Sequence, residues 1–154
     1  MTSPPTTLTT VREARRDDIP QVLALYGHTG MGSQTAFSVA DGERWLDQLA
    51  RYPDYRLYVA LNGPQVVGTY ALLIMDNISH GGQPSGVVES VAVHPDWQRR
   101  GVGREMMAHA MARCRSKGCY KITLSSNLRR HEAHAFYDSL GFERHGYSFR
   151  ISLD

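Results

Sequence analysis

Two arginines and two glycines stand close together between Gln98 and Arg104, in the run QRRGVGR. An apolar stretch precedes this run, and a helical pattern follows it. The first turn of a helix leaves backbone N–H groups without partners and carries the positive end of the helix dipole. Glycine there lets an anion approach the backbone, and nearby arginines add charge and hydrogen-bond donors. The spacing therefore predicts a phosphate or pyrophosphate site, with a tight turn and solvated arginines as the alternative.

Two better-known phosphate motifs do not fit the run. A Walker loop carries lysine and then serine or threonine after its last glycine, whereas Arg104 and Glu105 occupy these positions. The dinucleotide-binding fingerprint G-x-G-x-x-G needs a third glycine, and Met106 stands in its place. We therefore disfavour both motifs.

Two further patterns are set aside. His131 and His134 are three residues apart, whereas the zincin pattern H-E-x-x-H places its histidines four apart, and no third ligand is evident. We interpret these histidines as helix-surface residues and expect no metal site. The pairs Ser79–His80 and Ser125–Ser126 lack the nucleophile elbow of hydrolases, so a catalytic triad is not expected.

The periodicity of apolar residues predicts the elements that hold the glycine run in place. Helices are expected at residues 15–28, 39–52, 101–117 and 129–142, the first with Asp17 or Asp18 as its N-cap. Strands are expected at residues 9–14, 55–61, 65–75, 87–93, 119–126 and 144–153, and the turn signal at residues 62–64 joins the second and third as a hairpin. This order predicts a mixed α/β sheet with helices on its faces.

Length and composition fit one globular domain. The chain has 154 residues, of which 42% are hydrophobic and 21% charged. A net charge of +2 gives no argument for nucleic-acid binding, and no apolar run approaches the roughly 20 residues of a membrane span. Residues 1–9 lack a signal-peptide pattern, so we expect a flexible leader there and a single domain over residues 10–154. Two cysteines at expected core positions, Cys114 and Cys119, favour a reducing cytoplasm.

Three stretches together resemble the GNAT superfamily of acyl-CoA-dependent N-acyltransferases. The pattern Q-x-x-G-x-G after VESVAVHPDW is similar to motif A of this superfamily, and AFYDSLGF is similar to its motif B. The opening VREARRDDIPQVLALY resembles its usual first strand and helix, so the likeness extends from Thr10 to Leu153. The resemblance implies a mostly antiparallel central sheet with one splayed parallel pair and helices on both faces.

The resemblance also implies that the chain binds acetyl-CoA as its acyl donor. The pyrophosphate is expected on the backbone N–H groups of motif A, which are those of Gln98, Arg99, Arg100, Gly101, Val102, Gly103 and Arg104. The preceding strand is expected to pair with the pantetheine arm through the backbone of Val91, Ala92 and Val93. A backbone N–H near Val91 would polarise the thioester carbonyl.

The chain departs from the superfamily pattern at one cofactor contact. Many relatives carry an asparagine seven residues before the motif B tyrosine, whereas this chain has Arg130 there and its nearest asparagine is Asn127. Arg130 and Asn127 are both retained as candidate contacts to CoA.

Two residues are candidates for proton transfer. Glu89 interrupts the apolar strand VVESVAV, where a buried carboxylate is unfavourable unless it is paired or useful. An alkyl amine is protonated near neutral pH and must lose a proton before it attacks a thioester. The resemblance implies Glu89 as this general base, direct or through water, with a structural glutamate paired with arginine as the alternative. It implies Tyr137, the motif B tyrosine, as general acid toward the CoA thiolate, with an aromatic anchor as the alternative.

Taken as a whole, the resemblance implies direct acetyl transfer to a primary amine in a ternary complex. GVVESVAV and GCYKITL are similar to stretches of glucosamine-6-phosphate N-acetyltransferases, which suggests a small acceptor such as an amino sugar, with residues 28–38 and 76–86 near its pocket. A protein N-terminal acetyltransferase and a non-catalytic CoA-binding regulatory module are the alternatives. Relatives are often dimers, so a homodimer is one expected assembly, and no nucleic-acid or membrane partner is expected.

Overall fold

The computed structural model describes residues 9–30 and 37–153, so most of the predicted leader and part of the predicted acceptor loop lie outside the described residues. The helices are α1 (Ile19–Thr29), α2 (Val39–Leu49), α3 (Val102–Ser116) and α4 (His131–Ser139). The strands are β1 (Thr10–Glu13), β2 (Tyr55–Asn62), β3 (Gln65–Met75), β4 (Ser85–Val93) and β5 (Ile122–Leu124). Contacts group the chain into two compact units, Met1–Thr123 and Leu124–Asp154, and the prediction of a single domain stays a prediction.

The five strands form one sheet in chain order. β1 to β4 pair antiparallel, and the short connection between β2 and β3 confirms the predicted hairpin. β5 follows α3 and lies beside β4 as its parallel partner. Two backbone bonds join the first part of β4 and the residue before it to the residues that precede β5. They run from the Gly86 N–H to the Lys121 carbonyl and from the Tyr120 N–H to the Pro84 carbonyl, and each is 3.0 Å long. The predicted mixed sheet with one parallel pair is confirmed.

Different helices cover the two faces of the sheet. On one face, buried residues of α1 and α2 join Leu57 of β2 and Ala71 of β3 in a core cluster. On the other face, α3 buries Met106, Ala110 and Cys114, which recur every fourth residue and so share one side of the helix. The predicted arrangement of helices on both faces is therefore confirmed.

The N-cap of α1 is Asp18, one of the two residues that the sequence offered. Its carboxylate accepts bonds from Arg12 Nη1 at 2.7 Å and Nη2 at 3.0 Å, and from the Arg15 N–H at 2.7 Å. Because Asp18 is only 6% exposed, these bonds satisfy a charge that water does not reach. The bonds also tie β1 to the start of α1.

Residues 144–153 do not form the predicted last strand. No strand follows β5 in the described part of the chain, and the four apolar residues of the segment are 82–93% exposed. Their alternation with polar residues has the period of a strand, but a strand also needs a neighbouring backbone for its N–H and C=O groups. Since no described residue pairs with this segment in a ladder, the prediction is wrong.

Candidate functional site

α3 begins at a turn with space beside its first backbone N–H groups. Gly101 is the N-cap with φ 86°, and a Cβ placed on it would meet no atom within 4 Å. The first bond of the helix runs from Glu105 N–H to the Gly101 carbonyl, at 3.0 Å. The N–H groups of Val102, Gly103 and Arg104 precede that bond and have no acceptor within the helix. The turn therefore fits the predicted pyrophosphate, because it offers donors, a positive dipole end and room.

The two arginines before Gly101 each contribute to the shape of the turn. Arg99 has φ 61°, a left-handed conformation that residues other than glycine seldom adopt. The Arg100 guanidinium lies 4.4 Å from the centre of the Trp97 ring, and its Nη1 donates to the Asp96 carbonyl at 3.4 Å. Arg100 thus packs along the turn, which follows β4 through a short 3-10 turn at Pro95–Trp97. Packing and an unusual backbone together shape the path from β4 into α3.

The start of α3 lies against β3 at a glycine. A Cβ on Gly68 would be 2.8 Å from Val102 Cγ1 and 3.0 Å from Met106 Sδ. Real Cβ atoms essentially never come as close as 2.8 Å to another atom, so glycine at this position lets the first turn of α3 approach the sheet. Val102 is 2% exposed, and its burial fixes the turn that carries the predicted anion site.

β4 contains a β-bulge at the predicted donor strand. Ala92 is opposite Thr69 and Glu89 is opposite Ala71, so Tyr70 alone faces both Ser90 and Val91. Ser90 has φ 55°, which is uncommon for a residue other than glycine. A bulge interrupts the ladder and redirects backbone groups. Val91, where we predict a donor to the thioester carbonyl, therefore lies at an irregular point of the strand, immediately before Ala92 and Val93.

Glu89 is exposed, so the expectation that it is buried in the strand is wrong. Its position opposite Ala71 puts it on the face of the sheet that α1 and α2 cover. The apolar residues on either side of Glu89 predict burial. Burial also depends on which elements pack over that part of the sheet, and the sequence of one strand does not show this. No described arginine or lysine forms an ion pair with Glu89, so the structural alternative gains no support from the described residues.

Tyr26 is a site residue that sequence reasoning missed. Its hydroxyl donates to the Ser90 carbonyl at 3.4 Å and so links α1 to the bulge. Burial raises the pKa of Tyr26 to about 12, which keeps the hydroxyl protonated at neutral pH. Its position beside the buried Val22 and Leu25 of α1 was the only signal, because it marks Tyr26 as part of the face toward the sheet.

The remaining predicted site residues lie in the second unit. Tyr137 of α4 packs against Phe136 and Phe142, with ring centroids 5.2 and 5.6 Å away. Burial raises the pKa of the Tyr137 hydroxyl, and the nearby charge of Arg130 opposes this shift. Asn127 accepts a bond from the Arg129 N–H at 2.9 Å through its side-chain oxygen, which shapes the turn before α4.

The structure therefore brings together part of the predicted site. The first unit contains Glu89 and the segments 91–93 and 98–104. It also contains Tyr26, which the structure identifies and the sequence did not predict. The second unit holds Asn127, Arg130 and Tyr137. In the described part of the chain, no group of three or more His, Cys, Asp or Glu side chains is placed to hold a metal ion. None of the described helices is long and apolar enough to cross a membrane.

Comparison with protein families and curated proteins gives clear matches. A profile described as the acetyltransferase (GNAT) family matches residues 23–142. Glucosamine 6-phosphate N-acetyltransferase of Trypanosoma brucei brucei is 34% identical over 89 residues, which cover 58% of this chain and 58% of that protein. Aminoalkylphosphonate N-acetyltransferase of Salmonella typhimurium is 27% identical over 101 residues, which cover 66% of this chain and 65% of that protein. The chain thus spans 58% and 65% of the length of these two curated relatives.

Solved structures match over nearly the whole chain. A putative acetyltransferase from Agrobacterium tumefaciens str. C58 superposes with a TM-score of 0.86 at 27% identity, covering 94% of this chain and 99% of that one. A Trypanosoma brucei acetyltransferase superposes with a TM-score of 0.82 at 28% identity, covering 95% of this chain and 100% of that one.

Proposed function

Because the chain belongs to the GNAT acetyltransferase family, we propose that it is an acetyl-CoA-dependent N-acetyltransferase. The start of α3 carries the proposal, since a left-handed glycine with open space beside its Cα precedes three helix N–H groups that have no acceptor within the helix. Such a turn suits the pyrophosphate of a CoA thioester. Acetyl-CoA supplies an activated acetyl group, which passes directly to a primary amine in one ternary complex.

The donor-side roles follow the chain from β4 into α3. The backbone of Val91 to Val93 aligns the pantetheine arm, and the N–H near Val91 donates to the thioester carbonyl as charge develops on its oxygen. The bulge supports this role because it interrupts pairing between β4 and β3 at that residue. The backbone N–H groups of residues 98–104 bind the pyrophosphate, and Asn127 and Arg130 are further candidate contacts.

Two side chains move the protons of the reaction. Glu89 accepts a proton from the acceptor ammonium, directly or through a water molecule, and its exposure gives water access to the carboxylate. The free amine can then form the new C–N bond as the C–S bond breaks. Tyr137 donates its phenolic proton to the departing sulfur, and the second proton that the nitrogen loses on becoming an amide restores the phenol. Burial raises the pKa of Tyr137, so the phenol is protonated before the reaction.

The acceptor in this proposal is a small amine such as an amino sugar. The two curated relatives described above are named for glucosamine 6-phosphate and for aminoalkylphosphonates, both of which join an amine to a phosphorus-containing group. These names support a small polar acceptor for this chain.

The test of the proposal is a calorimetric titration with acetyl-CoA, followed by an assay of free CoA thiol with a panel of amines. We expect saturable binding by the natural chain and none by the double variant Gly101→Glu, Gly103→Glu. Unchanged binding by that variant would remove the basis of the proposal. Steady thiol release that depends on an added amine would exclude a non-catalytic CoA-binding module.

Tyr137→Phe tests the assignment of the general acid. The variant keeps the aromatic ring and loses the proton, so kcat should fall at least tenfold while the Kd for acetyl-CoA stays within about twofold. An unchanged kcat would contradict the acid role and favour an aromatic anchor.

A further inference from the structure

A cavity of about 350 Å³ lies at the end of α2 and the start of β2, wholly within the first unit. We call it the aromatic pocket, and it is lined by Trp45, Gln48, Leu49, Arg51, Tyr52 and Tyr55. The rings of Tyr52 and Tyr55 meet edge to face, with centroids 5.6 Å apart and planes at 77°. Three aromatic side chains therefore form much of the wall, while an amide and a guanidinium supply its polar groups.

A single arginine outside the pocket holds its wall in place. Arg56 Nη1 donates to the carbonyls of Leu49, Tyr52 and Tyr55 at 3.4, 3.1 and 2.7 Å. The guanidinium of Arg56 also lies 3.5 Å from the Glu13 carboxylate. Bonds from one guanidinium to three carbonyls hold the backbone between α2 and β2, which carries both tyrosines of the pocket.

Tyr55 of the aromatic pocket lies on the same face of the sheet as the proposed general base. Tyr55 is opposite Leu73 and Glu89 is opposite Ala71, so Tyr55 and Glu89 point to the same face of the sheet. They are two strands and two residues apart, which places their Cα atoms about 12 Å from one another. Both side chains are long enough to shorten this separation. Burial raises the pKa of Tyr55, and the charge of Glu89 contributes in the same direction.

The pocket and the glycine turn approach Glu89 from opposite ends of β4. The glycine turn follows Val93, at the end of the strand, whereas Tyr55 lies in the cross-strand row of Leu73 and Val87, near its beginning. A donor aligned from the end of β4 and an acceptor held near its beginning would therefore meet at Glu89 and the bulge. This geometry is what a ternary complex requires.

We infer that the aromatic pocket is the acceptor subsite and that it selects a primary amine carrying a phosphate or phosphonate group; this inference rests on the proposed function. The aromatic faces attract a cationic amine and pack on its carbon frame, with the ammonium directed toward Glu89. Arg51 is exposed at the rim, and none of the described residues bonds to its side chain. Its guanidinium suits the bidentate binding of a phosphorus oxyanion.

Binding by calorimetry tests the inference with and without saturating CoA. The probes are glucosamine 6-phosphate against glucosamine and 2-aminoethylphosphonate against ethylamine, two pairs that differ in the phosphorus group. We expect the natural chain to prefer the phosphorus-containing member of at least one pair. Arg51→Ala should weaken binding of the phosphorus-containing member about tenfold or more and change binding of the other member by no more than about twofold, as for the loss of a charge-assisted bond.

Arg44→Ala is the matched control for charge, because Arg44 lies on α2, pairs with Asp41 and does not line the pocket. It should bind both members of each pair as the natural chain does. Tyr52→Ala removes a wall that is 53% exposed, so the fold should persist, and it should weaken both members of a pair alike. A thermal melt of each variant confirms that the fold is intact.

The inference is overturned if no probe binds, or if Arg51→Ala and Tyr52→Ala bind every probe as the natural chain does. It is also overturned if Arg44→Ala has the same effect as Arg51→Ala. These outcomes concern acceptor binding alone. Loss of the proposed function is read separately, from acetyl-CoA titration and thiol release, so a failure of either conclusion can be recognised without the other.

Discussion

Helices α2 and α3 begin in opposite ways. At the start of α2, the Ser38 hydroxyl accepts a bond from the Asp41 N–H at 3.1 Å, and the Asp41 carboxylate accepts one from the Ser38 N–H at 2.9 Å. This capping box satisfies the N–H groups of Ser38 and Asp41 with side chains at the start of the helix. At the start of α3, Gly101 has no side chain and adopts φ 86°. Side chains cap α2, whereas no side chain caps α3, where an anion is proposed to bind.

Packing holds the start of α3 in the absence of a cap. Val102 and Met106 are almost fully buried, and both contact the sheet at Gly68. Burial of an apolar side chain of this size contributes about 1.5–3 kcal/mol, more than the 1 kcal/mol or so of a typical cap. The start of α3 is therefore held by packing, and the lack of a side-chain cap is compatible with a folded protein.

Gly101→Asp gives the start of α3 a side chain, as at the start of α2, and should have the largest effect. The new carboxylate places negative charge where the pyrophosphate is proposed to bind. We expect the Kd for CoA to rise at least 100-fold, about 2.7 kcal/mol, in a calorimetric titration.

Gly118→Asp is the control for backbone strain in that experiment. Gly118 also has positive φ, 76°, with no atom within 4 Å of a Cβ, but it follows the end of α3. The Gly118→Asp variant should be less stable than the natural chain in a denaturant titration but should bind CoA with the same affinity. Equal loss of CoA affinity in both variants would attribute the effect to strain and contradict the anion site.

The sequence anticipates the start of α3 better than the surface around it. The glycines of motif A, the arginines and the helical period lie in one continuous run, so local rules were enough to place the turn. The bulge at Ser90 and Val91 was not predicted, because it is a mismatch between two strands and has no signature in one of them. The exposure of Glu89 and the missing strand at residues 144–153 were misjudged for a related reason. Both depend on which elements of the fold lie next to them, and periodicity along the chain does not encode that.

Gly68→Ala tests whether packing against the sheet positions the uncapped helix. A methyl group there would be 2.8 Å from Val102 Cγ1, so the first turn of α3 must move away from β3. Overpacking of this kind should lower the free energy of unfolding by about 1–3 kcal/mol and weaken CoA binding as well. Gly27→Ala in α1, where a Cβ meets nothing within 4 Å, should not destabilise the chain. If Gly68→Ala lowers stability while CoA affinity stays the same, the packing of α3 against β3 does not determine the conformation of the turn that is proposed to bind CoA.

Ser38→Ala removes the cap of α2 and should have a smaller effect, on stability but not on CoA affinity. Loss of the hydroxyl leaves the Asp41 N–H without its acceptor, which should lower the free energy of unfolding by about 1 kcal/mol in urea. The Kd for CoA should not change, because this helix start takes no part in the proposed cofactor site. Ser38→Thr keeps the acceptor and should recover most of the stability. A change in CoA affinity in Ser38→Ala would contradict the conclusion that only the start of α3 belongs to the proposed cofactor site.

Asp41→Asn should give the smallest effect, and its dependence on pH identifies the cause. The bond from the Ser38 N–H is the main reason that the pKa of Asp41 lies below its ordinary value, and Arg44 adds a lesser contribution. A pKa lowered by folding means that the stabilisation is fully present above the unfolded value of about 3.9 and is lost as the pH falls through the lower folded value. The natural chain should therefore be more stable than Asp41→Asn at pH 7, and the difference should shrink steadily as the pH falls below about 4.

Arg44→Ala removes the ion pair with Asp41 and keeps the cap. Because an exposed ion pair contributes little to stability, this variant should keep most of the pH dependence of the natural chain. A difference between the natural chain and Asp41→Asn that is the same at pH 7 and pH 3 would mean that the carboxylate charge does not stabilise α2, and the cap would then rest on the Ser38 hydroxyl alone.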